Sequence, residues 1–381
     1  MANVVKLYDM YKSLHKNEPF YPFLLSSPKI AEQTMYIIID KNIPFLYDAL
    51  TSMGHKVDAM PGTAISKADV EHAEALFVRT RTECNASLLE GSKVRFIGTA
   101  TIGYDHIDSD YCKQRGIEWV SAPGCNADAV LQYVQSSLYI WSKENGVQLH
   151  NLTLGIVGVG RIGSRIASWA KGIGMRVLLN DPPREATGEK GFVSLHDIAK
   201  ECDIITFHPT LQKDGMFPSY HLADSAFFYS LQRKPLLINA SRGGVADNRA
   251  LLVALEEGAV SDAIIDVWEG EPDINITLLN KVYIGTPHIA GYSAEGKLNA
   301  SRTMLQAFVK FTGSNNAIPE ISLPAPENVI IAASDEQDAF LQIYNPKNDS
   351  EQLKSSPDQF EQLRNNYQLR REPKAYDIKL K

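Results

Sequence analysis

Leu152-Thr153-Leu154-Gly155-Ile156-Val157-Gly158-Val159-Gly160-Arg161-Ile162-Gly163 is the stretch whose reading decides the fold. Its first six residues make an apolar run suited to a buried parallel strand, and Ser164-Arg165-Ile166-Ala167-Ser168-Trp169-Ala170 continues as a helix. Between them Gly158 permits a tight turn, Gly160 lets the backbone approach a pyrophosphate, and Gly163 lets the helix lie close to the strand. Unpaired N–H groups at the helix start supply an anion site. A glycine turn alone is weak evidence, because such turns are common. The signal strengthens at Arg176-Val177-Leu178-Leu179-Asn180-Asp181, a second strand ending in an acid roughly 20 residues downstream. Asp181 can accept both hydroxyls of an adenosine ribose. Its charge disfavours a 2'-phosphate, although Arg184 nearby leaves NADP open. The expected cofactor is NAD, held by Gly158, Gly160, Arg161, Ile162, Gly163 and Asp181; a solvated surface role competes for Arg161.

Three charged residues follow this turn. Arg242 lies in Asn239-Ala240-Ser241-Arg242-Gly243, just past the apolar run Leu236-Leu237-Ile238. A guanidinium grips a carboxylate through two parallel hydrogen bonds, and Gly243-Gly244 leaves room for close approach. His288, in Thr286-Pro287-His288-Ile289-Ala290-Gly291, is the expected acid–base group, with an ordinary ring pKa of about 6.5 suited to proton exchange near neutrality. Glu271, in Asp266-Val267-Trp268-Glu269-Gly270-Glu271-Pro272, is expected to hold its second nitrogen, with Glu269 as competitor. Asp266 ends the preceding strand and is expected to face a nicotinamide carboxamide. His150 and His221 lack such surroundings and default to polar or packing roles. No metal is needed: no compact His/Cys/Asp ligand set is evident, nor is there a Gly-x-Ser-x-Gly elbow.

Apolar runs at Tyr36–Ile39, Ala75–Val78 and Val94–Gly98, separated by helix-compatible stretches around Pro44–Met53 and Ala86–Glu90, predict a parallel α/β domain ahead of the glycine turn. Arg79-Thr80-Arg81 and Thr99-Ala100-Thr101 follow two of these runs, at the strand ends where open sheets bind ligands. A helix over 126–144, with Val130, Val134, Leu138 and Trp141 at helical spacing, links this domain to the next. Further strands are expected at Arg176–Leu179, Ile204–Phe207, Leu236–Ile238, Ala263–Asp266 and Val282–Ile284, and a helix over Ala294–Phe311 returns toward the first domain. Pro319, Pro324 and Pro326 mark a linker. Beyond it the chain is polar, with a charged helix expected at Ser356–Arg371 and another subunit as its packing partner.

The fold class predicted is α/β: two Rossmann-like, doubly wound parallel-sheet domains with a cleft between them, plus a small C-terminal dimerisation region. The expected limits are 1–34 for an extension or a misassigned start before Met35, and 35–125 with 291–318 for substrate binding. NAD binding falls to 126–290 and dimerisation to 319–381. A chain of 381 residues, 44% hydrophobic, supports two or three domains. Net charge −7 without a long basic block argues against a protein that coats nucleic acid. No stretch approaches the ~20 apolar residues that cross a bilayer. Cys84, Cys112, Cys125 and Cys202 lie far apart, which points to unpaired thiols in a reducing cytoplasm.

At these motifs the chain resembles the D-isomer-specific 2-hydroxyacid dehydrogenase family over about residues 35–315. The resemblance implies that Arg242 clamps the substrate carboxylate, Glu271 orients and His288 exchanges the proton, and it favours the Glu directly before proline over Glu269. Phe96–His106, Ala122–Ala127, Asp181-Pro182-Pro183-Arg184 and His288–Tyr292 resemble a branch with an added dimerising tail, represented by Leu323–Glu327 and Leu363–Tyr367. That likeness implies a phosphorylated small 2-hydroxy acid as substrate, 4-phospho-D-erythronate of vitamin B6 synthesis, and a homodimer. By position, Thr80, Thr101 and Tyr292 are the substrate contacts it implies, while the charges of Arg79 and Arg81 suit a distal phosphate. Thr210, Ala240, Ser241, Arg242, Asp266 and Gly291 complete the expected cofactor shell. One departure is His208-Pro209-Thr210-Leu211, where the family has His-x-Pro-Leu, so the cofactor-facing loop is expected to be altered. Two other readings stand beside this one: a family member acting on 3-phosphoglycerate, glycerate or lactate, and a non-catalytic NAD-sensing interaction protein.

Overall fold

The computed structural model describes residues 34–314 and 318–381. The expected extension before Met35 falls almost wholly outside them. Five strands form a first parallel sheet: β1 (Tyr36–Asp40), β2 (Lys56–Met60), β3 (Ala75–Val78), β4 (Phe96–Thr99) and β5 (Glu118–Val120), in the order β2-β1-β3-β4-β5. Six form a second: β6 (Thr153–Val157), β7 (Arg176–Asn180), β8 (Ile204–Phe207), β9 (Leu236–Asn239), β10 (Asp262–Ile265) and β11 (Ile284–Gly285), in the order β11-β10-β9-β8-β6-β7. Each sheet is packed on both faces, which is why its central strands are buried throughout and mostly apolar. The helix Ala294–Thr312 lies on the first sheet through Ala300, Met304, Leu305 and Phe308. Strand order reverses between β1 and β3 in the first sheet and between β6 and β8 in the second. Such reversals open crevices at the carboxyl ends of the strands.

The C-terminal region departs from the expected single helix at Ser356–Arg371. Helices occupy Glu336–Ile343, Pro346–Ser355 and Phe360–Asn365, and a two-stranded parallel sheet joins β12 (Ile330–Ala333) to β13 (Asp377–Leu380). The last helix stops at Asn365 because the following chain is drawn out beside Ser293, where Ala294 N–H donates to the Arg370 carbonyl. Nor does this region reserve its apolar side chains for another subunit. Leu353 and Phe360 enter one core of the second sheet, while Phe340 and Tyr344 enter the other beside the hinge helix Ala127–Asn145.

Arg370 anchors the arrangement. It is 8% exposed, and its guanidinium donates to Ile289 O at 3.0 Å, Tyr292 O at 3.1 Å, Ala129 O at 3.0 Å and Gln132 Oε1 at 3.1 Å, as well as to Ala290 O. Its planar cation also stacks 4.2 Å over the Tyr344 ring. Replacing it leaves several buried carbonyls without donors. Arg370→Met is predicted to cost about 3 kcal/mol or more in urea denaturation, the scale of a broken buried charged contact; a loss within about 0.5 kcal/mol, the range of an ordinary surface substitution, contradicts this role.

Candidate active site

The glycine turn lies where the sequence predicted, between β6 and the helix Arg161–Gly172. A Cβ on Gly158 would fall 2.4 Å from Pro209 N, and one on Gly163 would fall 2.1 Å from Gly158 O, so both positions require glycine. Gly160 instead faces open space and caps the helix without any side chain, leaving first-turn N–H groups directed outward. Asp181 accepts from Val159 N–H at 2.8 Å and from Arg184 N–H at 3.2 Å, so one carboxylate fixes both the turn and the next helix. Gly158, Gly160, Asp181 and Thr210 share a cavity of about 650 Å³. A free helix start, a close-packed glycine turn and an acid at the strand end fit a dinucleotide. Arg184 is engaged by Glu189 and by Val159 O, which removes it as a ready partner for a 2'-phosphate.

Other expected cofactor contacts are placed more variously. The Arg161 side chain is exposed and lies against Gly124, while Ile162 packs into the second-sheet core. Ala240 and Ser241 are buried at the end of β9, where Ser241 donates to Asn239 Oδ1. Gly291 meets Asn126 at the start of the hinge helix, too closely for any Cβ. The reordered His208-Pro209 stays packed on the glycine turn: His208 N–H donates to Val157 O at 2.7 Å, and desolvation pushes its imidazole down to about 3, so the ring is neutral.

Asp266, expected to face the carboxamide, lies just past the end of β10, where its carboxylate is 1% exposed and accepts from Thr286 Oγ1, Ile289 N–H and Ala290 N–H at 2.7, 2.8 and 2.9 Å. Desolvation raises its pKa, partly opposed by those bonds and the nearby His288. Its work is to shape the loop that carries His288, whose φ of 57° lies in the left-handed region. There His288 Nδ1 meets Glu271 Oε2 at 2.8 Å, and Glu271 Oε1 accepts Trp268 N–H at 2.8 Å. Burial alone would raise the Glu271 pKa; the His288 contact, Trp268 N–H and Arg364 more than offset it and hold the carboxyl below its usual range. Among the described residues His288 Nε2 has no hydrogen-bond partner.

Glu269, the competing orienter, belongs to a second histidine. It accepts at 2.6 Å from His221 Nε2, whose other nitrogen is 3.7 Å from Asp247. His221 therefore sits among carboxylates, contrary to the expectation that it lacked such surroundings. Arg242 follows β9 and packs its guanidinium against Gly103, with one N–H on Ser241 O at 2.8 Å. Loops of both sheets thus meet at this residue.

At the first sheet's reversal a cavity of about 700 Å³ gathers Arg79, Thr80, Arg81 and Tyr292. Thr101 does not line it; its hydroxyl is spent on Thr99 and on Gly103 O. Two lining cations had escaped sequence reasoning: Lys297 on the returning helix and Arg364 in the tail. Arg364 donates to Tyr292 Oη at 3.3 Å and comes within 3.8 Å of Glu271.

Residues 127–290 match the family model described as D-isomer specific 2-hydroxyacid dehydrogenase, NAD binding domain, and residues 323–381 match a domain of unknown function (DUF3410). An erythronate-4-phosphate dehydrogenase from Bacteroides thetaiotaomicron is 55% identical over 345 residues, covering 90% of this chain and 99% of the relative. One from Escherichia coli is 43% identical over 349 residues, covering 89% and 92%. Among solved structures, D-lactate dehydrogenase from Aquifex aeolicus, complexed with NAD and lactic acid, aligns with a TM-score of 0.60 at 28% identity, over 73% of this chain and 96% of that one. A 3-phosphoglycerate dehydrogenase from Entamoeba histolytica shares the fold, with a TM-score of 0.61 at 23% identity over 74% and 97% of the two chains. The chain therefore belongs to the D-isomer-specific 2-hydroxyacid dehydrogenases, in the branch of the erythronate-4-phosphate dehydrogenases.

Proposed function

We propose that this protein oxidises 4-phospho-D-erythronate at C2 to (R)-3-hydroxy-2-oxo-4-phosphobutanoate, a step of pyridoxal phosphate synthesis. The observation that carries the chemistry is the 2.8 Å pairing of His288 Nδ1 with Glu271. That contact fixes the tautomer and turns Nε2 toward a substrate hydroxyl. NAD, held by the glycine turn and Asp181, supplies the hydride acceptor. His288 takes the hydroxyl proton during oxidation and returns it in the reverse direction, and the ionised Glu271 stabilises the imidazolium meanwhile. Arg242 grips the carboxylate and so sets which face of C2 is presented.

On this reading residues 35–125 with 291–318 bind substrate, 126–290 bind NAD, and Thr80, Tyr292, Arg79 and Arg81 meet the phosphorylated end. No helix among the described residues is long and apolar enough to cross a membrane. Four unpaired cysteines, three of them buried, support a cytoplasmic setting. The tail's small sheet exposes Ile330 (61%) and Leu380 (57%), which supports a homodimer built there. Light scattering is predicted to give twice the chain mass; a monomer across the micromolar range contradicts the dimer.

Turnover with NAD should be measured on 4-phospho-D-erythronate, 3-phospho-D-glycerate, D-glycerate and D-lactate, with a keto-acid acceptor present so that slow NADH release does not mask activity. The first acid is expected to give the highest kcat/KM, and His288→Ala to lower kcat about 10²–10⁴-fold with little change in NAD affinity. Preference for another acid contradicts the substrate, and undiminished turnover by His288→Ala contradicts the mechanism. NAD binding without any turnover would favour a sensing role.

A further inference from the structure

The cavity at the first sheet's reversal is walled partly by residues beyond the two sheets. The loop after β3 contributes Arg79 and Arg81, the returning helix contributes Lys297, and the tail helix Phe360–Asn365 contributes Arg364. Against these four cations stand two carboxylates, Asp40 and Glu361, and Glu361 is already paired with Arg81. Arg79 and Lys297 have no carboxylate within ion-pair distance among the described residues. The Lys297 ammonium lies 4.3 Å over the Tyr292 ring. Desolvation, then the Arg79 charge, push it down to about 7, with Arg364 acting the same way and Cys125 and Asp40 opposing. Gathering like charges at a desolvated wall is unfavourable unless an anion is bound between them.

We infer that Lys297 and Arg364 are specificity-determining residues that complete a phosphate subsite in this cavity, so that the C-terminal tail forms part of the substrate site. The proposal rests on the dehydrogenase reading above and sharpens its substrate class to acids with a dianionic group distal to C2. Geometry joins the subsite to the chemistry: Arg364 stands 3.8 Å from Glu271 Oε2, the same oxygen that meets His288 Nδ1. A substrate whose phosphate rests on Lys297 and Arg364 therefore has its C2 end directed toward the acid–base pair. The two residues come from separate elements, so binding the phosphate also draws the tail and the returning helix together.

The test compares kcat/KM for 4-phospho-D-erythronate with that for D-erythronate in the full-length protein and in Lys297→Met, Lys297→Arg, Arg364→Met and Arg364→Lys. The ratio is expected to fall about 10–100-fold in each Met variant, as for one lost charge-assisted contact, and to recover in the charge-preserving variants. Because Arg364 also approaches Glu271, a kcat loss shared by both acids reports the acid–base pair, whereas the ratio reads the phosphate alone. An unchanged ratio in both Met variants overturns the inference. Should those variants not fold, the native protein decides. Inorganic phosphate must then compete with 4-phospho-D-erythronate beyond the effect of chloride at equal ionic strength, and absence of competition overturns the subsite. Preference for 3-phospho-D-glycerate would instead overturn only the substrate assignment, and the ratio against D-glycerate would then test the subsite. Equal use of phosphorylated and unphosphorylated acids by the native protein overturns the subsite and leaves the dehydrogenase chemistry standing.

Discussion

Two buried charges hold the short backbone segment that follows His288. Asp266 takes the N–H groups of Ile289 and Ala290, and Arg370 takes the carbonyls of Ile289, Ala290 and Tyr292. Burying either charge is expensive on its own, and the multiple hydrogen bonds offset that cost. The result is a loop that cannot drift. His288 is kept in the left-handed region, where its ring meets Glu271, and Tyr292 is delivered to the opposite cavity. Since Arg370 also ties Ala129 and Gln132 of the hinge helix, the tail, the hinge and the loop after His288 are one mechanical unit.

The two strand-order reversals then divide the labour. In the second sheet, β6 and β8 part at the glycine turn and Pro209, making a cradle for a dinucleotide. In the first, β1 and β3 part at Asp40 and Arg79, making a cationic cavity. Arg242 stands between, rooted at the end of β9 and packed on Gly103 of the first domain. In the proposed reading, an acid gripped there would reach from the hydride acceptor to the cations. The parallel sheets supply the geometry, and the loops at their carboxyl ends supply the chemistry.

Much of this was legible in the residues. Buried strands announce themselves as apolar runs, and β1, β3, β4, β6, β8, β9 and β10 do so, as does the edge strand β7, whose run Val177-Leu178-Leu179 is partly buried. Strand β2 does not: Lys56-Val57-Asp58-Ala59-Met60 is a sheet edge with only Val57 buried, so no apolar run marks it. The pairing of Glu271 with His288 was readable because both sit in short distinctive motifs. Lys297 and Arg364 were not, because nothing local separates a lysine or arginine facing a cavity from one facing water. The tail misled for a related reason. Its charged pattern from Ser356 to Arg371 suggests a solvated helix, yet Arg370 is buried among carbonyls contributed by residues some 80 and 240 positions away. His221 and Glu269 form a pair for the same long-range reason, being 48 residues apart in sequence.

The most direct measurement is the mass of the reduced cofactor formed from 4-phospho-D-erythronate deuterated at C2, after quenching so that enzyme-bound NADH is included. The account predicts NADH one mass unit heavier, because the hydrogen on C2 leaves as hydride while His288 takes only the hydroxyl proton. Unlabelled NADH, with deuterium retained in the product or lost to water, would contradict it.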